Sequence, residues 1–199
     1  MSRDFGRNHA RQHIAHLAAR LMAEDGIEDH GLAKRKAARQ AGMSDFRQLP
    51  DNDEIDDALR LYRALYCQEH MHELRALRKL ALDMMGGLVR FNPHLVGSVL
   101  KGNAGKFAVV HLQLFTDDAK SVGLFLINRG IEYKNGTGRL YAGKSVIDAP
   151  TLTFTHRDVD IQLVILSLRE LRQTLRATAE GKPIERARRE VVAALLATD

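Results

Sequence analysis

Leu95-Val96-Gly97-Ser98-Val99-Leu100-Lys101-Gly102-Asn103-Ala104-Gly105-Lys106-Phe107-Ala108-Val109-Val110-His111-Leu112-Gln113-Leu114-Phe115-Thr116-Asp117-Asp118 joins a Gly-Ser pair to an apolar run through a glycine-rich loop with two lysines. The near-continuous apolar run over 107–115 predicts a buried strand. Asp117-Asp118 supplies N-cap chemistry for a helix over 119–129, with Val122, Leu124, Phe125 and Leu126 as its apolar members. Just upstream, Asn92-Pro93 suits a helix start and predicts one or two helical turns over 91–98.

Apolar residues recur at helical spacing through most of the chain before this stretch. Ile14, Leu17, Ala18, Leu21 and Met22 form one stripe, ended at Gly26, and a second short helix over 32–41 is closed by Gly42. Gln48-Leu49-Pro50-Asp51-Asn52-Asp53 is a break followed by capping residues. A long helix is predicted from 54 to about 85, carrying Ile55, Leu59, Tyr62, Leu65, Leu74 and Leu77, with Gly86-Gly87 as its stop. Its length suits a spine or a homodimer contact.

After the strand and its helix, short predicted strands over 131–133 and 139–141 flank Asn135-Gly136-Thr137-Gly138, read as a hairpin loop. Strands over 151–155 and 159–166 follow, then a helix over 169–177. A last amphipathic helix begins after Pro183 on Ile184, Ala187, Val191, Ala194 and Leu195. Helices first and a mixed half second predict an α+β protein. A helical region over 1–90 precedes an α/β module over 91–199, with a small mixed sheet flanked by helices.

Composition narrows the class. Hydrophobic content of 45% and charged content of 28% are ordinary for a globular protein. One cysteine, Cys67, forbids an internal disulfide and fits a reducing compartment. The polar, basic opening from Met1 to His16 predicts no signal peptide, and no stretch is long and apolar enough to span a bilayer. A cytoplasmic protein without a membrane partner is expected. The net charge of +5 favours an anionic partner. Arg3, Arg7, Arg11, Arg20, Lys34, Arg35, Lys36, Arg39 and Arg47 give the first fifty residues a basic character. Two short basic helices there also allow a DNA-binding regulator.

The succession of Gly97-Ser98, a buried strand, a helix, a hairpin and an acid-bearing strand resembles the DNA polymerase β-type nucleotidyltransferases. The resemblance covers residues 92–166, under half of the chain. It implies that the Gly-Ser turn and its basic loop, Gly97, Ser98, Lys101, Gly102 and Lys106, approach phosphates. Glycine is needed there because a Cβ would block a close approach. It also implies an Asp-x-Asp pair on the following strand, because residues two apart face the same way and reach the same two metal ions. Here Val109 and His111 occupy those positions. Asp160 fits the third carboxylate, with Asp158 two residues earlier.

One imidazole and one valine do not replace two hard oxygen ligands for Mg²⁺. A degenerate member is therefore expected, with no catalytic residues, no metal and no cofactor. Its nucleotide-binding set is Gly97, Ser98, Lys101, Gly102, Lys106, His111 and Asp160. A nucleotide, RNA or protein partner is expected. The alternative is an active transferase holding Mg²⁺ through Asp158 and Asp160. Other motifs carry less: Gly143-Lys144-Ser145 has the ending of a phosphate loop, but no glycine five residues before it stands in the required setting, since Gly138 belongs to the turn-rich Asn135-Gly136-Thr137-Gly138 stretch, and His9, His13 and His16 have no accompanying cysteine cluster. Cys67 has no activating neighbour in sequence and reads as a structural thiol.

Overall fold

Capping chemistry opens the second and third helices in the computed structural model, which describes residues 2–27, 29–42, 49–66, 68–105 and 108–198. Helix α1 spans Ser2–Glu24 and α2 spans His30–Gln40, with the Asp29 side chain accepting from Leu32 N–H. Helix α3, Asn52–Tyr66, opens on a reciprocal box. Glu54 N–H donates to Asp51 Oδ1 at 2.9 Å, and Asp51 N–H donates to Glu54 Oε2 at 2.7 Å. Arg11 on α1 closes on the same Glu54 carboxylate at 2.6 Å. That hydrogen bond holds the Glu54 carboxyl below its ordinary range.

The apolar stripe of α1 meets α2 and α3 at Ile14, Ala18, Leu21, Ala33, Ala37, Ile55 and Leu59, all buried. Alanines at the contacts let the backbones approach closely. Where one helix is predicted over 54–85, the structure records α3 and then α4, Gln68–Gly87; Cys67 between them lies outside the described residues.

The chain divides into two compact units, residues 1–72 and 73–199. The second is built on a six-stranded mixed sheet in the order β1-β2-β5-β4-β3-β6, so the whole protein is α+β. Its strands are β1 His94–Val96, β2 Val110–Phe115, β3 Lys134–Ala142, β4 Ser145–His156, β5 Val159–Leu166 and β6 Leu175–Arg176. Among these strand pairs β2 and β5 run parallel and the others antiparallel. Helices α5, Ser98–Lys101, α6, Ala119–Ile127, and α7, Arg189–Thr198, complete the unit. Among the described residues no helix is long and apolar enough to cross a membrane.

Alternation along the central strands gives the sheet two unlike faces. Val110, Leu112, Leu114, Ile161, Leu163 and Ile165 bury one face, together with Leu77, Ala81 and Met85 of α4 and Val122 and Leu126 of α6. The α6 start follows its sequence signal, with the Asp118 side chain accepting from Ser121 N–H at 3.1 Å. Truncating a fully buried leucine such as Leu112 costs about 2–5 kcal/mol.

Four local expectations are corrected. Residues 91–98 are not helical: a 3-10 turn over Val89–Phe91 leads through Asn92, at φ 50°, into β1. The residue before a proline avoids the helical region, and Asn tolerates the left-handed one. Strand pairing on both sides then fixes the extended form, with Leu95 exchanging two 2.9 Å hydrogen bonds with Ala187. Asn135-Gly136-Thr137-Gly138 is not a loop but lies inside β3, and the hairpin turn is at Gly143-Lys144. Residues 169–177 form a 3-10 turn and β6 rather than a helix. The last helix begins at Arg189, because Ile184 and Ala187 are committed to backbone pairing with Leu175 and Leu95.

Candidate functional site

Gly97 is the pivot between β1 and α5. Its backbone, at φ 78° and ψ −156°, is one that side chains rarely adopt. A Cβ there would lie 3.4 Å from His111 Cδ2. The turn therefore packs against the edge of the imidazole. Behind it, Arg78 of α4, only 5% exposed, donates from Nε to Val99 O and from Nη2 to Leu100 O, both at 3.2 Å. A guanidinium on the last carbonyls of so short a helix satisfies groups that would otherwise be orphaned. Arg78 thus fixes where Gly97 and Ser98 stand.

Ser98 and Lys101 are half-buried at the two ends of α5. Gly102 is buried and is the left-handed cap of that helix, its N–H donating to Ser98 O at 2.9 Å. Lys106 lies outside the described residues.

Strand register aligns the other positions. Val96 pairs with His111, and His111 pairs with Gln162, so the side chains of all three share one face. His111 Nδ1 donates to Gln162 Oε1 at 3.0 Å, which leaves Nε2 with a lone pair. Burial lowers the His111 pKa below its ordinary value, only partly countered by the Gln162 bond, and keeps the ring neutral near pH 7. Val109 precedes β2 and is half-buried.

Asp160 stands on the same face as Gln162, two residues along β5. It pairs with Thr155 of β4, whose hydroxyl donates to its carboxylate at 2.7 Å. Asp158 is not on the strand. It forms, with Arg157, the two-residue turn between β4 and β5, where both are left-handed at φ 62° and 51°. The structure therefore joins Gly97, His111 and Gln162 and places Asp158 in a separate turn. Among the described residues no three His, Cys, Asp or Glu side chains gather into a cation site. Asp117 is engaged elsewhere, accepting from Leu168 N–H at 3.0 Å.

The register also brings neutral groups that the motif reading missed. Gln113 lies two residues past His111 on the same face, 2% exposed, and its Oε1 is buried without a hydrogen-bond partner. Thr153 pairs with Gln162 and Thr151 with Val164, continuing the face onto β4. Gly136 and Gly138 continue it onto β3. A Cβ on Gly136 would lie 2.7 Å from Thr151 Oγ1, and one on Gly138 3.2 Å from Thr151 Cγ2. The glycines keep Thr151 low against the sheet. The signal was present: Gln113 and Gln162 each stand two residues after a singled-out residue, His111 and Asp160. At the far end of the face, His94 stacks edge-on against Phe115, and Arg186 lies over the same ring.

Charge is distributed unevenly. Residues 1–72 hold eleven Lys and Arg against twelve Asp and Glu, whereas residues 73–199 hold nineteen against thirteen. Some basic residues of the first unit are paired, Arg11 with Glu54, Arg20 with Glu24 and Lys36 with Asp25. Comparison with family models, curated proteins and solved structures returned no match.

Proposed function

We propose that the second unit is a nucleotidyltransferase-like module that binds a nucleotide and does not transfer it. The observation supporting this is the packing of Gly97 on a neutral His111 that is hydrogen-bonded to Gln162. In this reading the turn approaches the phosphates, while the positions of the metal dyad carry Val109 and His111, the latter hydrogen-bonded to the uncharged Gln162 amide. Ser98 and Lys101 face the phosphates in this reading, with Lys106 as a further cation, and the positive excess of residues 73–199 favours an anionic ligand. RNA is the extended form of the same ligand. The location is cytoplasmic in this reading, in keeping with one cysteine in 199 residues.

An active transferase working through Asp158 and Asp160 has less support, since one acid is in a turn and the other is bonded to Thr155. Nor does the near-balanced charge of residues 1–72 favour a DNA-binding role for the first helices.

Thermal-shift and calorimetric titration of the full chain with nucleoside triphosphates and short RNAs tests the proposal. Stabilisation by one or more of them, lost in Lys101→Ala and in Gly97→Val, is the expected result. No binding by any nucleotide or RNA rejects it. Labelled product from a triphosphate in the presence of Mg²⁺ or Mn²⁺, abolished by Asp160→Ala, would establish the transferase instead.

A further inference from the structure

The second face of the sheet packs a small core around Phe115 and Leu166, and toward its other end it carries a row of uncharged hydrogen-bonding groups with a chemistry of its own, where His111, Thr153 and Gln162 are only partly buried. Gln113 and His111 stand two apart on β2, Gln162 is beside His111 on β5, and Thr153 is beside Gln162 on β4. Neighbouring strands are ~4.8 Å apart, so the adjacent His111 and Gln162 fall within the span of one small planar molecule. His111 Nε2 and Gln113 Oε1 are acceptors without partners among the described residues. Gln162 Nε2 offers two donors, and its Oε1 keeps a second lone pair beside the His111 bond. A side-chain amide with both functions open can pair with the edge of a nucleobase through two hydrogen bonds.

The glycines next in the row keep the floor low. With a Cβ at 136 or 138, Thr151 would be driven up into the face. Lys134 and Asp160 are exposed and flank Thr153 and Gln162, on β3 and β5 respectively, so charge lies at the rim.

We infer that this face holds the uncharged half of the ligand, a nucleobase read by Gln162 and His111, and that this half binds without a divalent cation. The inference rests on the nucleotide reading above and adds which half of the nucleotide the sheet recognises. A buried, unpartnered Gln113 carbonyl beside the pair favours a ligand that brings hydrogen-bond donors, as exocyclic amino and ring N–H groups do. Neutral amides and a neutral imidazole give little stabilisation to a metal–triphosphate complex.

The test titrates the full chain, in chelator, with the four ribonucleosides and separately with inorganic triphosphate. At least one nucleoside is expected to bind. Gln162→Leu is expected to weaken it about tenfold, the loss of roughly one or two hydrogen bonds, and to leave triphosphate binding unchanged. Thr153→Val, nearly the same size, removes one donor and serves as the second variant if Gln162→Leu does not fold. If nucleotides and triphosphate bind but nucleosides do not, the inference is overturned and nucleotide binding stands. Equal weakening of nucleoside and triphosphate by Gln162→Leu also overturns it. If nucleosides, nucleotides and triphosphate all fail to bind, both readings fall.

Discussion

Gly97 faces the His111 ring across the β1–β2 pair: a Cβ on Gly97 would meet His111 Cδ2 at 3.4 Å, an ordinary contact distance. The contact couples the turn that introduces α5 to the imidazole that β2 carries beside Gln162. Its backbone conformation, at φ 78°, belongs to glycine.

Gly97→Ala should therefore destabilise the second unit by roughly 1–3 kcal/mol, mostly through backbone strain. Urea unfolding of the variant measures this. An unchanged midpoint would show that the turn relaxes to another conformation without cost.

His111 and His94 both have pKa values lowered by burial below the ordinary 6.5. The folded state then binds fewer protons than the unfolded chain. The stability contributed is fully present above pH 6.5 and is lost as pH falls from 6.5 down through the folded values. Melting temperatures across pH 7.5 to 5 should fall, for the ordinary histidine range about pH 6.5. His111→Gln should make that fall shallower, and an equal slope in the variant would assign the effect to other groups.

Glu54 shows a depressed carboxyl pKa, caused first by Arg11. Its contribution is present above pH 4.5 and lost as pH falls through the lower folded value. Glu54→Gln should remove that acid-side dependence and cost about 1 kcal/mol at neutral pH, since the capping box is weakened as well. Circular dichroism melts at pH 7 and pH 4 compare the two proteins.

Gly136→Ala should place its methyl on Thr151 Oγ1, at 2.7 Å, and overpack the face by about 1–3 kcal/mol. Combining it with Thr151→Ala should recover part of the loss, because the clashing atom is gone. A double-mutant cycle by chemical denaturation measures the coupling, and strict additivity would mean that the clash is relieved elsewhere.

Asp158, left-handed at φ 62° in the two-residue turn, is a position that glycine fills without strain. Asp158→Gly should raise stability by about 0.5–1 kcal/mol, the strain relief exceeding the added freedom of the unfolded chain. Thermal unfolding would detect the gain, and a loss would show that the aspartate makes a compensating contact.

Local chemistry was legible in the sequence. Asp118 as a helix cap, Gly42 after α2 and the full extent of β5 at Val159–Leu166 all follow from residue type and spacing. Capping and alternation act within a few residues, so no distant partner is needed to read them. The α+β order of helices before a mixed sheet is of the same kind.

Long-range pairing settled the rest. Pro93 favoured a helix until β2 and Ala187 claimed both edges of β1. Gly136 and Gly138 looked like a turn because glycine marks both turns and close approaches, and only the position of Thr151 distinguishes them. Sequence alone placed Gly97-Ser98 before an apolar run that carries Val109 and His111. The tertiary structure set Gln162 opposite His111, 51 residues away, because the parallel register of β2 and β5 is fixed by what each strand buries on its other face.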